Sequence, residues 1–148
     1  MLILYYSIFV SHYLYFSYIA EILITSFKMT KEDIISLFKA IDQFDTKSFA
    51  DFLHEQAEFR FGNMPVVKGK NAIFEFVAGF FQAIKAIKHT NLEIWELEGI
   101  RFVNATVTYT RHNGSILTVN FSNTFKLKEN KIKDYLIFID NSALFNAN

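Results

Sequence analysis

The chain reads as an α+β domain in which three N-terminal helices pack on a curved antiparallel sheet. Two observations predict this. From Thr30 to Lys88, apolar residues recur mostly at three- and four-residue intervals, the helical period. Beyond Thr90 the interval falls to two and turn signals appear. Foremost is Asn113-Gly114, a pair that tolerates the positive φ of a tight hairpin. Helices followed by a run of strands must stack face to face, because each apolar stripe needs a partner.

The elements follow in order. Thr30-Lys31-Glu32-Asp33 starts a helix, with a hydroxyl cap and acids in the first turn. Ile34, Leu37, Phe38, Ile41 and Phe44 form its apolar stripe. Thr46 is expected to cap a second, short helix through Leu53. Ala57 to Phe61 alternates as a strand, and Gly62-Asn63-Met64-Pro65 is a turn. Gly69 precedes a long helix expected over about 71–88, with Ile73, Phe76, Val77, Phe80, Phe81, Ile84 and Ile87 on one side. Four strands follow: Thr90 to Glu98, Arg101 to Arg111, Ser115 to Leu127 and Ile132 to Asp140.

Bulk properties bound the function. A chain of 148 residues is expected to form one core without disulfides or a structural metal. It has no cysteine, which excludes thiolate chemistry, disulfides and cysteine-ligated metals, and it fits a cytoplasmic protein. The 15 basic and 15 acidic residues cancel and no basic run occurs, so no nucleic-acid partner is expected. Phe is abundant, at 18 residues, which suits either an ordinary core or an aromatic-walled cavity. His12, His54, His89 and His112 lack metal-ligand spacing, so neither a metal nor a cofactor is expected.

Composition changes near Met29. Leu2 to Phe27 contains no Lys or Arg and holds Tyr5, Tyr6, Tyr13, Tyr15 and Tyr18 of the chain's 7 tyrosines. The segment is long enough to span a membrane, but Glu21 and His12 are costly there. It lacks the basic start and small-residue cleavage site of a signal peptide. A start misassigned upstream of Met29 is the first expectation and an anchor helix the second. Membrane contact is expected only if residues 1–28 belong to the protein. The domain itself covers 29–148.

Several phrases carry a resemblance. They are Ala57-Glu58-Phe59-Arg60-Phe61-Gly62-Asn63, Lys68-Gly69-Lys70-Asn71-Ala72-Ile73, Tyr109-Thr110-Arg111-His112-Asn113-Gly114, and Lys131-Ile132-Lys133-Asp134-Tyr135 with Ile139-Asp140. In this order, over about 29–145, the chain resembles the SnoaL-like polyketide cyclase branch of the nuclear-transport-factor-2-like superfamily. The resemblance implies a cone with a pocket between sheet and helices, a small hydrophobic molecule as partner, and a homodimer formed through the sheet. It does not imply one reaction, because the fold hosts cyclases, isomerases, hydrolases, dehydratases and non-catalytic binders.

Matching the superfamily's chemistries residue by residue narrows them. The base position of ketosteroid isomerases falls on Phe61, and a phenyl ring cannot take a proton. Their tyrosine falls near Leu37 and their oxyanion aspartate near Asn123, which could donate to a ligand carbonyl. The Arg-x-Asp pair of limonene-epoxide hydrolases is missing from Val103 to Val107. Cyclases of the SnoaL type need one acid, and Asp140 (or Asp134) could supply it. Asp134, Leu136, Phe138 and Asp140 share a strand face, so a buried Asp140 would have a raised pKa suited to acid/base work; capping the strand end is the alternative role. Tyr109 and His89 complete the catalytic candidates, and Phe61, Phe59, Asn123, Trp95 and Phe138 the ligand-binding ones. Trp95 fits the pocket or the outer sheet face equally, and His89 also suits a helix C-terminal charge.

Overall fold

In a computed structural model, residues 14, 15, 17, 18 and 28–145 are described. Expectations about the segment 1–28 therefore fall almost wholly outside the described residues. Among the described residues, no helix is long and apolar enough to cross a membrane.

Helix α1 spans Lys31–Asp42. Its start is a capping box: the Asp33 amide donates to Thr30 Oγ1 at 3.3 Å, and the Thr30 amide donates to Asp33 Oδ2 at 2.7 Å. Ile34, Leu37, Phe38 and Ile41 are buried along one side. Helix α2 covers Thr46–Asp51 and is capped one residue earlier than expected, by Asp45, whose carboxylate accepts the Ser48 amide at 2.9 Å. Helix α3 spans Lys70–Gln82 after Gly69, which adopts φ +87°, a conformation costly for other residues. It ends well before Lys88. Ala86 and Ile87 pair instead with Thr110 and Tyr109, so sheet hydrogen bonds override a helical apolar spacing that continues through Ile84 and Ile87.

The strands are β1 (Leu53–Phe61), β2 (Val67–Lys68), β3 (Ala86–Leu97), β4 (Ile100–Thr110), β5 (Ile116–Lys128) and β6 (Lys131–Ile139). They form one 6-stranded sheet in the order β2-β1-β6-β5-β4-β3. The sheet is mixed, which corrects the antiparallel expectation: β1 and β6 run parallel, with Phe59 opposite Tyr135. Helix α3 carries the chain from β1 to the far edge at β3. Three reversals then bring β6 back alongside β1 in the same direction. The turn from β5 to β6 has positive φ at both Glu129 and Asn130, +52° and +58°, as a two-residue type I′ hairpin requires.

The helices cover one face of this curved, open sheet. Phe38, Phe49, Val103, Phe125 and Ile132 are buried between the layers. A buried cation holds the entry to α1 against the sheet. Arg101 Nε donates to the Met29 carbonyl at 3.0 Å, and Nη1 donates to the Leu97 and Ile100 carbonyls at 2.8 Å each. Its Nη2 also donates to the Met29 carbonyl.

Candidate functional site

Alternation along β4 and β5 sorts residues between the covered and the outer face. Val107 and Tyr109 of β4, and Phe121 and Asn123 of β5, face the helices. With Phe59 and Phe61 of β1, Phe80 of α3 and His89 of β3 they line a cavity of about 60 Å³. The wall is aromatic: Phe80 meets Tyr109 edge to face at 6.1 Å, Phe61 meets Phe80 at 5.4 Å, and Phe59 meets Tyr135 at 5.1 Å. The polar residues on it are His89, Tyr109, Asn123 and Tyr135. The volume is well below the roughly 300 Å³ at which ligand sites usually begin. The Phe side chains take up much of the space a wider cone would leave open.

His89 is held from behind. Its Nδ1 lies 2.6 Å from Asp42 Oδ1, and its backbone amide donates to the same oxygen at 3.0 Å. Lys88 Nζ reaches Asp42 Oδ2 at 3.1 Å from the solvent side. Burial works to raise the Asp42 carboxyl pKa, but the hydrogen bond and charge of His89, with Lys88, outweigh it and hold the group below the ordinary carboxylate value. An ionised Asp42 can only accept, so Nδ1 carries a proton and the lone pair of a neutral ring sits on Nε2. Nε2 has no protein partner among the described residues. Phe38 and Phe121 flank the ring at centroid distances of 4.8 and 5.4 Å.

Asn123 is 1% exposed. Its Nδ2 donates to the Tyr135 hydroxyl at 3.2 Å. Its Oδ1 has no hydrogen-bond partner, and among the described residues it is the one buried side-chain polar atom in that condition. Its position in the sequence suggests Asn123 as a donor to a ligand carbonyl; in the structure Nδ2 is engaged by Tyr135, and because that hydroxyl can also donate, the amide can present either its oxygen or its nitrogen to the cavity. Burial pushes the Tyr109 hydroxyl pKa well above its ordinary value. Burial, then repulsion from Tyr109, raises Tyr135 further, while the Asn123 bond opposes the rise. Both hydroxyls are neutral hydrogen-bonding groups near neutral pH.

The structure gathers His89, Tyr109, Asn123, Phe59 and Phe61 around the cavity and leaves three other candidates outside it. Phe138, 53% exposed and opposite Ser122, and Trp95, 47% exposed and opposite Phe102, lie on the outer sheet face. Asp140 is exposed beyond the end of β6, where its carboxylate accepts the Ser142 amide at 3.1 Å. That contact holds its carboxyl below the ordinary value rather than raising it. Asp140 as a buried acid at the end of an apolar face is therefore corrected. Tyr135 to Ile139 is apolar throughout, so alternation cannot set the phase, and a register shift between Lys126 and Leu127 moves Tyr135, Ile137 and Ile139 to the cavity side.

Sequence reasoning missed Asp42 and Tyr135. Asp42 did carry a signal. A carboxylate in the last turn of a helix opposes the helix dipole and needs a local reason to be there.

The model of the family described as the SnoaL-like domain matches residues 34–135. No curated protein sequence matches the chain significantly. Among solved structures, a candidate polyketide cyclase from Xanthomonas campestris pv. campestris superposes with a TM-score of 0.70 at 12% identity, over 75% of this chain and 90% of the other. A nuclear-transport-factor-2-like protein of unknown function from Burkholderia pseudomallei gives 0.69 at 14% identity, over 75% and 90%. TerC, co-crystallised with polyporic acid, gives 0.67 at 18% identity, over 76% and 92%. Identities this low establish the shared fold alone.

Proposed function

The chain belongs to the SnoaL-like domain family, and from that premise we propose that it binds a small hydrophobic carbonyl compound of polyketide-like character and moves a proton on it, as a cyclase, isomerase or dehydratase does. The Asp42–His89 pair carries this reading. A carboxylate behind Nδ1 fixes the imidazole and leaves Nε2 as a base on the wall of an apolar cavity. Tyr109 supplies a neutral hydroxyl on the same wall, able to donate to the carbonyl oxygen on which charge develops. A structural neighbour named as a candidate polyketide cyclase, and TerC co-crystallised with polyporic acid, support a small-molecule pocket in this fold.

The test follows exchange of α-protons of single-ring ketones in heavy water by proton NMR. Wild type is expected to accelerate exchange. His89→Gln is expected to slow it by roughly 10² to 10⁴ while ligand affinity persists. Equal exchange rates for wild type and variant would overturn the catalytic role.

The cavity of about 60 Å³ favours a second reading, a non-catalytic binder or dimeric interaction module with the same fold. On that reading the outer sheet face, with Trp95 and Phe138 exposed, joins two copies. Ligand binding without exchange selects the binder, and a dimer with no ligand selects the module.

A further inference from the structure

Helix α3 carries a glycine that neither its backbone nor its packing requires. Gly79 lies inside the helix without a positive φ. A Cβ added there would meet nothing within 4 Å. Glycine in a helix interior costs stability relative to alanine, so the bare position calls for another reason. It borders a groove of about 500 Å³, a volume in the usual range of ligand sites. Phe76, Gly79, Phe80 and Ala83, spaced along one face of α3, form one side of that groove. Met64, in the turn after β1, and Phe145, beyond β6, border it as well, and both are exposed. No charged side chain of the described residues lines it, and its polar side chains are Asn141 and Ser142.

The groove adjoins the cavity, because Phe61, Phe76 and Phe80 line both. Phe80 meets Tyr109 at 6.1 Å on the cavity side and Phe145 at 6.4 Å on the groove side, edge to face in each case. The hydrogen-bonding groups of His89 and Tyr109 belong to the inner compartment, and the outer one is mainly apolar. We infer that one ligand spans both compartments, a carbonyl compound with an unbranched alkyl tail. Its carbonyl end lies by His89 and Tyr109, and its tail passes the phenyl rings and runs along Gly79 and Ala83. The inference rests on the cavity reading of the preceding section and names its substrate class. The tail's chemistry follows from the lining: an apolar chain buried there gives up water without desolvating a charge. Its shape follows from Gly79 and Ala83, which are one helical turn apart and leave a furrow along α3 slender enough for an alkyl chain. Phe61, Phe76 and Phe80 are the groups that turn to let it pass.

The experiment is a calorimetric titration of the full chain with methyl ketones of increasing length, from 2-pentanone to 2-decanone. Affinity is expected to climb roughly two- to fourfold per added methylene, the worth of burying that group. Gly79→Leu fills the furrow, and in that variant the gain from the shortest to the longest ketone is expected to shrink roughly tenfold or more. Each gain is a ratio within one protein, so a general loss of binding cancels. The fold is expected to tolerate the change, because leucine is the better helix former. Should Gly79→Leu fail to fold, Ala83→Leu, one turn along, applies the same block. Equal affinity across the series would overturn the tail site and leave the cavity reading standing. A climb that the added leucine does not change would put the tail elsewhere and overturn the inference as well. No binding by any ketone would remove the cavity reading together with it.

Discussion

Asp42 Oδ1 lies 2.6 Å from His89 Nδ1 and also accepts the His89 backbone amide at 3.0 Å, so one oxygen at the end of α1 fixes both backbone and ring of a β3 residue. Lys88, the preceding residue, holds the other oxygen at 3.1 Å. The cluster joins helix to sheet and sets the orientation of the cavity's one imidazole.

Replacing Asp42 with Ala should lower stability by about 2 kcal/mol at pH 7, since it removes charge-assisted hydrogen bonds in a largely shielded site. The pH dependence has a definite sign. The folded carboxyl pKa is depressed below the ordinary aspartate value of 3.8. Its contribution is therefore complete above that value and is lost as pH falls through the lower folded one. Urea titrations from pH 7 down to pH 3 should show wild type and Asp42→Asn converging only at the acid end.

Arg101→Met should cost about 3 kcal/mol or more. The guanidinium is 0% exposed and serves the Met29, Leu97 and Ile100 carbonyls, which would be left without it. Arg101→Lys should recover little, because an ammonium cannot span the same fork. Urea unfolding measures both.

Glu129→Gly should stabilise the protein by about 1 kcal/mol. Glu129 holds φ +52° in the β5–β6 turn, where glycine carries no Cβ penalty. Its ion pair with His54, at 3.7 Å, is exposed on the Glu side and worth little. Thermal melts should show a higher Tm. A lower one would mean that the ion pair outweighs the backbone strain.

Phe125→Ala should cost about 3–5 kcal/mol, because this ring is 0% exposed and packs 4.5 Å from Tyr135. Asn123→Leu, two residues away on the same face, should cost about 1–3 kcal/mol. It leaves the buried Tyr135 hydroxyl without its partner, and removal of the unpartnered Oδ1 offsets only part of that cost. An Asn123→Leu variant as stable as wild type in urea would show that the Tyr135 hydroxyl does not depend on Asn123.

Asp140→Asn should leave ligand binding and turnover within about twofold, since its carboxylate serves a turn outside the cavity. A loss of turnover comparable to that of His89→Gln would restore Asp140 as the acid.

The order of helices and strands, the Thr30 cap and the β4–β5 hairpin were legible in the chain, because each rests on local chemistry. Periodicity, capping hydroxyls and turn residues act within a few positions of one another. The fold class followed from that order. The helix-facing positions of β4 followed as well, since Val103, Ala105, Val107 and Tyr109 alternate with polar residues. What stayed hidden depended on distant partners. Helix α3 ends at Gln82 because Ala86 finds Thr110, and nothing local marks that choice. The phase of β6 comes from a register shift against β5, invisible in a run of five apolar residues, and that shift puts Asp140 outside and Tyr135 inside. Asp42 and His89 are 47 residues apart and meet only because α1 packs on β3. Local sequence thus determined the elements and much of one wall of the cone. Only the packing of helix on sheet decided which polar atoms face its interior, because a side chain's partner there is set by distances that no short stretch of sequence contains.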